Sequence, residues 1–427
     1  MTRASGRPTH RQLAGPAIAL AAVLTLAACG NEDPSASGAN GASVPVASSD
    51  WDAVLAEAEG QSVNWYMYGG DDVLNTFVDD VVTPRLDDLG ITLNQVRIDD
   101  TAEAVNKVLG EKQAGLTSGG AVDAIWINGE NFATGVQADL WRCGWSQDLP
   151  NAQYVDLDAP EVANDFGVPV NGCEAAWQQA NSALVYDSAV LDEADVASVD
   201  ALFAWAESDP GRFTYPAPPD FFGSMAVRTV LYDTIDGPSS LLEGAADPTS
   251  EVFTDATTET FDRLNAIEPS LWRGGSTYPQ SQEDVERLYS DGEISAFFTY
   301  GPGAVGTKVA DGLYPDTTRQ AVLDIGNISN VSFVTIPANA AHQAGALVLA
   351  NELQDPEVQL ALFEANGIYP AVDLTAIPTD VAESFAAVET SASVLPLDDL
   401  LVDAQPELAS AYLAAIEDGW IAGVQQK

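Results

Sequence analysis

From residue 63 the apolar positions of this chain recur with two periods in turn. Val63-Asn-Trp-Tyr-Met-Tyr68 alternates as a strand does, Gly69-Gly70 reads as the turn that ends it, and Asp71-Asp72 as the start of a helix running to about Val82, before Pro84. The pattern then predicts a second strand from Ile91 to Ile98, a helix from Thr101 to Ala114 and a third strand from Ala121 to Ile127. Strand, helix, strand, helix, strand implies parallel β-structure joined by crossovers, and ligands of such sheets lie beyond the carboxyl ends of the strands. The loops of interest are therefore Tyr68-Gly69-Gly70-Asp71 and Asn128-Gly129-Glu130-Asn131-Phe132.

Glu174 to Asp187 follows a loop-rich stretch and reads as a crossing into a second domain, with Asn181 to Asp187 as strand. Beyond it, Leu202 to Ala206 and Ser224 to Leu231 read as helices around a rigid loop, Tyr215-Pro-Ala-Pro-Pro219. Ile294 to Tyr300 is a buried strand, Val331 to Ile336 and Gly345 to Ala350 are two further strands, and helices interrupted by prolines follow from Pro356. No internal repeat is visible.

The first 28 residues follow neither pattern. Arg3, Arg7 and Arg11 precede an apolar run from Ala17 to Ala28, the layout of a secretory leader, and the run is too short to span a bilayer of roughly 20 residues. Leu26-Ala27-Ala28-Cys29 resembles the bacterial lipobox, which makes Cys29 the expected lipid attachment point after cleavage. Residues 29–50 are polar, rich in Gly and Ser, and read as a flexible tether. Outside the cytoplasm the remaining cysteines, Cys143 and Cys173, can oxidise, and a bridge over the thirty residues between them would stabilise by roughly 3 kcal/mol.

The 427 residues hold 46% apolar side chains, enough for roughly two domains of ordinary size. Sixteen Lys and Arg face 64 Asp and Glu, a formal charge of −48, and loss of the leader removes three arginines and no acid. Such a field repels nucleic acid and bare anionic membrane, and favours cationic or neutral partners.

Catalysis finds little support. The chain has two histidines, His10 leaves with the leader, and no G-x-S-x-G elbow accompanies His342. Two Cys and one His cannot make an ordinary zinc site, so no metal and no cofactor is expected. The pairs Asp71-Asp72, Asp79-Asp80, Asp87-Asp88 and Asp99-Asp100 read as solvated faces or helix N-caps, the cap falling first on Asp71 or Asp72. Gly301-Pro-Gly-Ala-Val-Gly306 spells G-x-G-x-x-G but lacks the following βαβ unit, so it reads as a strand-to-helix turn opening on a cleft. Inside strands, Trp65 and Trp126 are expected in the core. Tyr68, Phe132, Tyr215, Phe222 and Tyr300 stand at element ends beside Gly or Pro and, with Trp177, are candidates for lining a cleft.

Taken together, Val63-Asn-Trp-Tyr-Met-Tyr-Gly-Gly, Asp100-Thr-Ala-Glu-Ala-Val-Asn-Lys-Val-Leu, Asp123-Ala-Ile-Trp-Ile-Asn-Gly-Glu-Asn-Phe, Tyr215-Pro-Ala-Pro-Pro-Asp-Phe-Phe-Gly-Ser and Phe333-Val-Thr-Ile-Pro-Ala-Asn resemble the YnjB-type solute-binding lipoproteins of ABC importers, from about residue 60 to the C-terminus. Glu174-Ala-Ala-Trp177 departs from that pattern, with Ala176 where the family has proline before the tryptophan. The resemblance implies an α/β, two-lobed periplasmic-binding-protein fold of class II type, with hinge crossings, a solute trapped between the lobes and delivery to a permease driven by an ATPase. Residues 51–175 and 326–352 would form lobe 1, and 176–325 and 353–427 lobe 2. The expected ligand-binding set is Tyr68, Gly69, Asn128, Glu130, Asn131, Phe132, Trp177, Tyr215, Phe222 and Tyr300. The expected protein is a monomer, lipid-anchored on the extracytoplasmic face, without enzymatic activity. An organic cation, with Glu130 and Glu174 as candidate counter-charges, or a sugar stacked on the aromatics suits the site best. The alternative is a secreted lipoprotein enzyme acting on carbohydrate.

Overall fold

The computed structural model describes residues 47–426 except Glu243, Pro302, Glu389, Leu397, Asp398, Leu401 and Val402. The leader, Cys29 and the tether as far as Val46 lie outside the described residues, as does Pro302 of the glycine-rich turn. The described strands are β1 (Ser62–Tyr68), β2 (Thr92–Ile98), β3 (Ala124–Ile127), β4 (Asn164–Asp165), β5 (Val168–Pro169), β6 (Glu174–Asp187), β7 (Ala296–Tyr300), β8 (Thr318–Ala321), β9 (Ile328–Thr335) and β10 (Gln405–Pro406). All but the β4/β5 hairpin share one mixed sheet whose spine runs β2-β1-β3-β9-β6-β7, with β10 beside β9 and β8 beside β6.

β1 pairs in parallel with both β2 and β3, as the alternating pattern predicts. Its Val63, Trp65 and Met67 point into one core, where Leu74, Phe77, Val78 and Leu86 of the following helical segments cover them. That helical stretch is capped by the Asp71 carboxylate, which accepts from the N–H groups of Val73 and Leu74. It does not stop before Pro84 but continues to Asp88, because Pro84 falls in the first turn of the last piece, Thr83–Asp88, where a missing N–H does little harm. Asp100 caps the Thr101–Gln113 helix in the same way.

β6 joins the two halves of the molecule. From Glu174 to Asn181 it pairs with β9, and from Ser182 to Asp187 with β7 and β8, with a register shift between Ala176 and Gln178. β9 is the second crossing, and reaches β3 at one end and β10 at the other. On one side, β1–β3 and their helices enclose cores around Trp65, Leu347 and Phe132. On the other, β7 and the helices Phe221–Thr234 and Ser410–Trp420 enclose a core containing Met225, Phe298 and Trp420.

Gly345 to Ala350 is not a strand. It lies inside the Gln343–Leu353 helix, whose residues Ala344–Asn351 are all buried, so the unbroken apolar run reflects burial on every side; periodicity cannot separate that from a buried strand. Residues 353–427 also divide. Val358 and Leu362 of the Pro356–Asn366 helix pack with Trp65 and Leu347, and Phe385 with Phe132, whereas Tyr412 and Trp420 join the core around Met225.

Candidate functional site

The carboxyl ends of β1 and β3 face the second half. The Gly69 N–H donates to Ile98 O at 2.9 Å, holding the end of β1 against β2, and a Cβ on Gly69 would press on Arg97. The Tyr68 ring folds over Gly70, where any side chain would collide with the phenol. Its hydroxyl donates to Glu283 Oε1 at 3.2 Å, and Trp126 meets the ring edge-on at 6.4 Å. Glu283 stands in the first turn of the Gln282–Ser290 helix, capped by Ser281. Burial, then the charges of Glu283, Asp71 and Asp220, push the Tyr68 phenol up to about 12. Glu283 thus meets an exposed aromatic of the other half directly, while Asp71 and Asp220, whose carboxylates cap their own helices, add their fields to it.

At the end of β3, half-buried Asn128 precedes Gly129, whose φ of +61° suits glycine and turns the chain into the Gly129–Gln137 helix. The Gly129 N–H donates to Asp165 Oδ1 at 2.7 Å, and the Phe166 ring lies 3.5 Å from where a Cβ would stand. Asp165 is fully buried; desolvation, against the Gly129 hydrogen bond and with Glu407, raises it to about 7. Phe166 packs at 6.5 Å on Phe221 of the other half, and Phe221 lies 5.0 Å from Tyr300, with Phe222 5.8 Å from the same ring. Exposed Glu130 and half-buried Asn131 follow on the first turn, and the Glu130 charge acts across the gap on Glu417.

Under these aromatics lies a buried ion pair. Arg228 Nε is 3.0 Å from Glu407 Oε2, and both side chains are within 3% of full burial. Tyr300 donates to Glu407 Oε1 at 2.6 Å, Asn330 of β9 donates to the same oxygen at 3.2 Å, and Arg228 also reaches Ser224, which donates to Glu417 at 2.7 Å. Burial works against the Arg228 charge, but Glu407 outweighs it and raises its pKa; burial, then Glu407, hold Tyr300 well above the ordinary phenol value.

The structure therefore gathers Tyr68, Gly69, Asn128, Glu130, Asn131, Phe222 and Tyr300 around the junction of the halves. Three other candidates lie elsewhere. Phe132 is wholly buried and stacks on Trp141, because the Gly129–Gln137 helix starts before it and turns it inward. Tyr215 is buried against Tyr278 and Trp420, whose indole donates to its hydroxyl. Trp177 is 1% exposed and packs edge-on between Trp65 and Trp126 at the register shift of β6. Glu174 is likewise buried, on the first half.

Sequence reading passed over Glu283, Asp165, Phe166, Asn330 and Glu407, and it counted Phe221 among the loop aromatics without giving it a place in the site. One signal was available: Arg228 is a lone charge in the apolar run from Met225 to Leu231, which requires a buried acid nearby. The acid, Glu407, is far along the chain, so no local pattern names it.

The Cys143–Cys173 disulfide is present. His342 is tied by Nδ1 and by its backbone N–H to the buried Asp123, which also accepts from Asn64 N–H. Among the described residues no group of three or more His, Cys, Asp or Glu is placed to hold a metal ion, and no helix is long and apolar enough to cross a membrane.

Residues 86–387 match the family model described as bacterial extracellular solute-binding protein. The chain is 34% identical over 375 residues to protein YnjB of Escherichia coli K12, covering 87% of this chain and 93% of that one. An ABC transporter substrate-binding protein from Bradyrhizobium japonicum superposes with a TM-score of 0.63 at 17% identity, over 86% of this chain and 100% of the other. The spermidine/putrescine ABC transporter substrate-binding protein of Streptococcus pneumoniae gives 0.60 at 15% identity, over 86% and 99%. The two halves joined by β6 and β9 are the two lobes of that fold, and the chain belongs to the bacterial extracellular solute-binding proteins, the solute-capturing components of ABC transporters.

Proposed function

We propose that the solute is a small organic cation, held between the lobes at the aromatic and acidic junction, and that a lipid on Cys29 anchors the protein outside the membrane. The observation that carries the ligand class is the hydrogen bond from Tyr68 to Glu283, to which helix-capping Asp71 and Asp220 add their negative fields. A cation placed there would relieve repulsion among acids and lie near the faces of Tyr68 and Phe221, which are 36% and 38% exposed. The names of two structural neighbours, spermidine/putrescine transporter proteins of Listeria monocytogenes and Streptococcus pneumoniae, support the same class. The expected site is Tyr68, Gly69, Asn128, Glu130, Asn131, Phe222 and Tyr300, extended by Phe221 and Glu283, with residues 51–175 and 326–352 on one side and most of 176–325 on the other. A neighbour from a study of xylan utilisation favours a second reading, a neutral sugar stacked on the same rings.

Mass spectrometry of the solute released on unfolding, followed by calorimetric titration at rising salt, tests the reading. A cation should bind stoichiometrically without turnover, with affinity falling as salt rises. A salt-independent neutral ligand would replace it with the sugar reading, and turnover of a glycoside would overturn both.

A further inference from the structure

The β4/β5 hairpin has its feet in one lobe and its tip in the other. Asn164 pairs with Pro169 and Asp165 with Val168, and below them the Val170 N–H donates to Ala163 O at 3.0 Å. Val162 and Val170, on either side, belong to the first lobe's core around Phe132. Asp165 ties the hairpin to the same lobe by accepting from the Gly129 N–H. The tip residue Phe166, by contrast, is 3% exposed and belongs to the second lobe's core with Met225, Phe298 and Trp420. Its ring lies between Gly129 of the first lobe and Phe221 of the second, 6.5 Å from the latter. Gly167 follows it, so near the second lobe that a Cβ there would stand 3.1 Å from Ala409 Cβ.

Locally the turn is badly chosen. Phe166 and Gly167 are its central residues, with φ of +44° and +74°, a conformation for which two-residue hairpin turns favour Asn-Gly. An aromatic residue at positive φ is strained, and such strain persists only where the surrounding structure outweighs it. Here the surroundings that bury the ring belong to the opposite lobe. We propose that this hairpin is a latch: Phe166, seated in the second lobe, holds the unliganded lobes together, and a solute enters only when the ring withdraws. Burial of a phenylalanine ring shifts such a two-state equilibrium toward the closed form by about tenfold or more. Closure is then partly pre-formed, which raises the apparent affinity for a solute and slows its entry. The inference rests on the two-lobed fold and not on the ligand class.

The test is small-angle scattering of the unliganded protein, with amide hydrogen exchange to verify that both lobes stay folded. Phe166→Asn supplies the residue that the turn prefers and removes the ring. Its ratio of open to closed molecules should rise by about tenfold, read as a radius of gyration larger than that of wild type. The amides of β1 and of the Phe221–Thr234 helix should remain protected. Ala409→Leu, which leaves Phe166 in place but crowds Gly167, should expand the protein in the same way. A wild-type radius for a folded Phe166→Asn would overturn the proposal. If that variant loses protection in the second lobe, Ala409→Leu decides: expansion with both lobes protected supports the latch, and an unchanged radius overturns it.

Discussion

Tyr68 at the tip of β1 and Glu283 at the head of the Gln282–Ser290 helix are 215 residues apart in sequence, yet the phenol hydroxyl donates to the carboxylate at 3.2 Å and so links the two lobes. A hydrogen bond to a charged group is worth about 1.5–3 kcal/mol when protected and less where water competes, as at half-exposed Tyr68. Tyr68→Phe keeps the ring and removes the bond. In small-angle scattering of the unliganded protein this variant should show a larger radius of gyration than wild type, and its affinity for the co-purifying solute should fall by about fivefold. An unchanged radius would mean that the bond does not hold the lobes together.

Removing one member of the Arg228–Glu407 pair strands the other in the core. Glu407→Ala should cost about 3–5 kcal/mol in urea unfolding, whereas the double replacement Arg228→Met with Glu407→Leu should cost less than the single change. A double variant as unstable as the sum of its singles would show that the pair does not act as a unit.

Asp165 sets an unusual pH response. Its folded value, about 7, lies above the ordinary 3.8, so its contribution to stability is fully present below the unfolded value and is lost as pH rises through about 7. Glu174, raised by burial and then by Asp165, acts in the same direction. The protein should therefore unfold less readily as pH falls from about 8 toward 5, and Asp165→Asn, which keeps an acceptor for Gly129, should flatten that profile. Parallel denaturation profiles for the two proteins would exclude this role.

Gly303, after β7, lies directly against Gly367 at the end of the Pro356–Asn366 helix, and a Cβ on Gly303 would occupy the place of the Gly367 carbonyl. Gly303→Ala should destabilise by about 1–3 kcal/mol. Gly110→Ala, in open space on the Thr101–Gln113 helix, should stabilise by about 0.5–1 kcal/mol. Similar melting shifts for the two would refute the close backbone approach.

Cys29→Ser should move the protein from the membrane fraction to the soluble extracytoplasmic fraction, given the Leu26-Ala27-Ala28-Cys29 motif. Retention in the membrane would place the anchor elsewhere.

The strands and cleft loops that come from contiguous patterns were legible in the sequence. Val63 to Tyr68 shows its alternation in six residues, and Glu174 to Asp187 announces the crossing by a long run of mainly apolar and small side chains. Legibility ended where direction or distance decided the outcome. Phe132 and Tyr215 stand beside loops, but their side chains turn inward, which depends on where a helix begins and on which partner ring is near. The buried helix around Leu347 and the β10 pairing that brings Glu407 to Asn330 are set by contacts from remote segments.

The register shift in β6 has an optical consequence. It sits in the first-lobe half of the strand, where Trp177 packs edge-on with Trp65 and Trp126 at 5.6 and 5.3 Å and Tyr68 lies beyond them, 6.4 Å from Trp126. These indoles share one lobe and keep their mutual orientation when the lobes move, but Tyr68 reaches Glu283 of the other lobe, so breaking that contact would change the surroundings of Trp126. The protein thus carries an unlabelled fluorescent reporter one ring behind the lobe contact, and changes in tryptophan emission on adding a solute would report closure in a cell extract or a plate well.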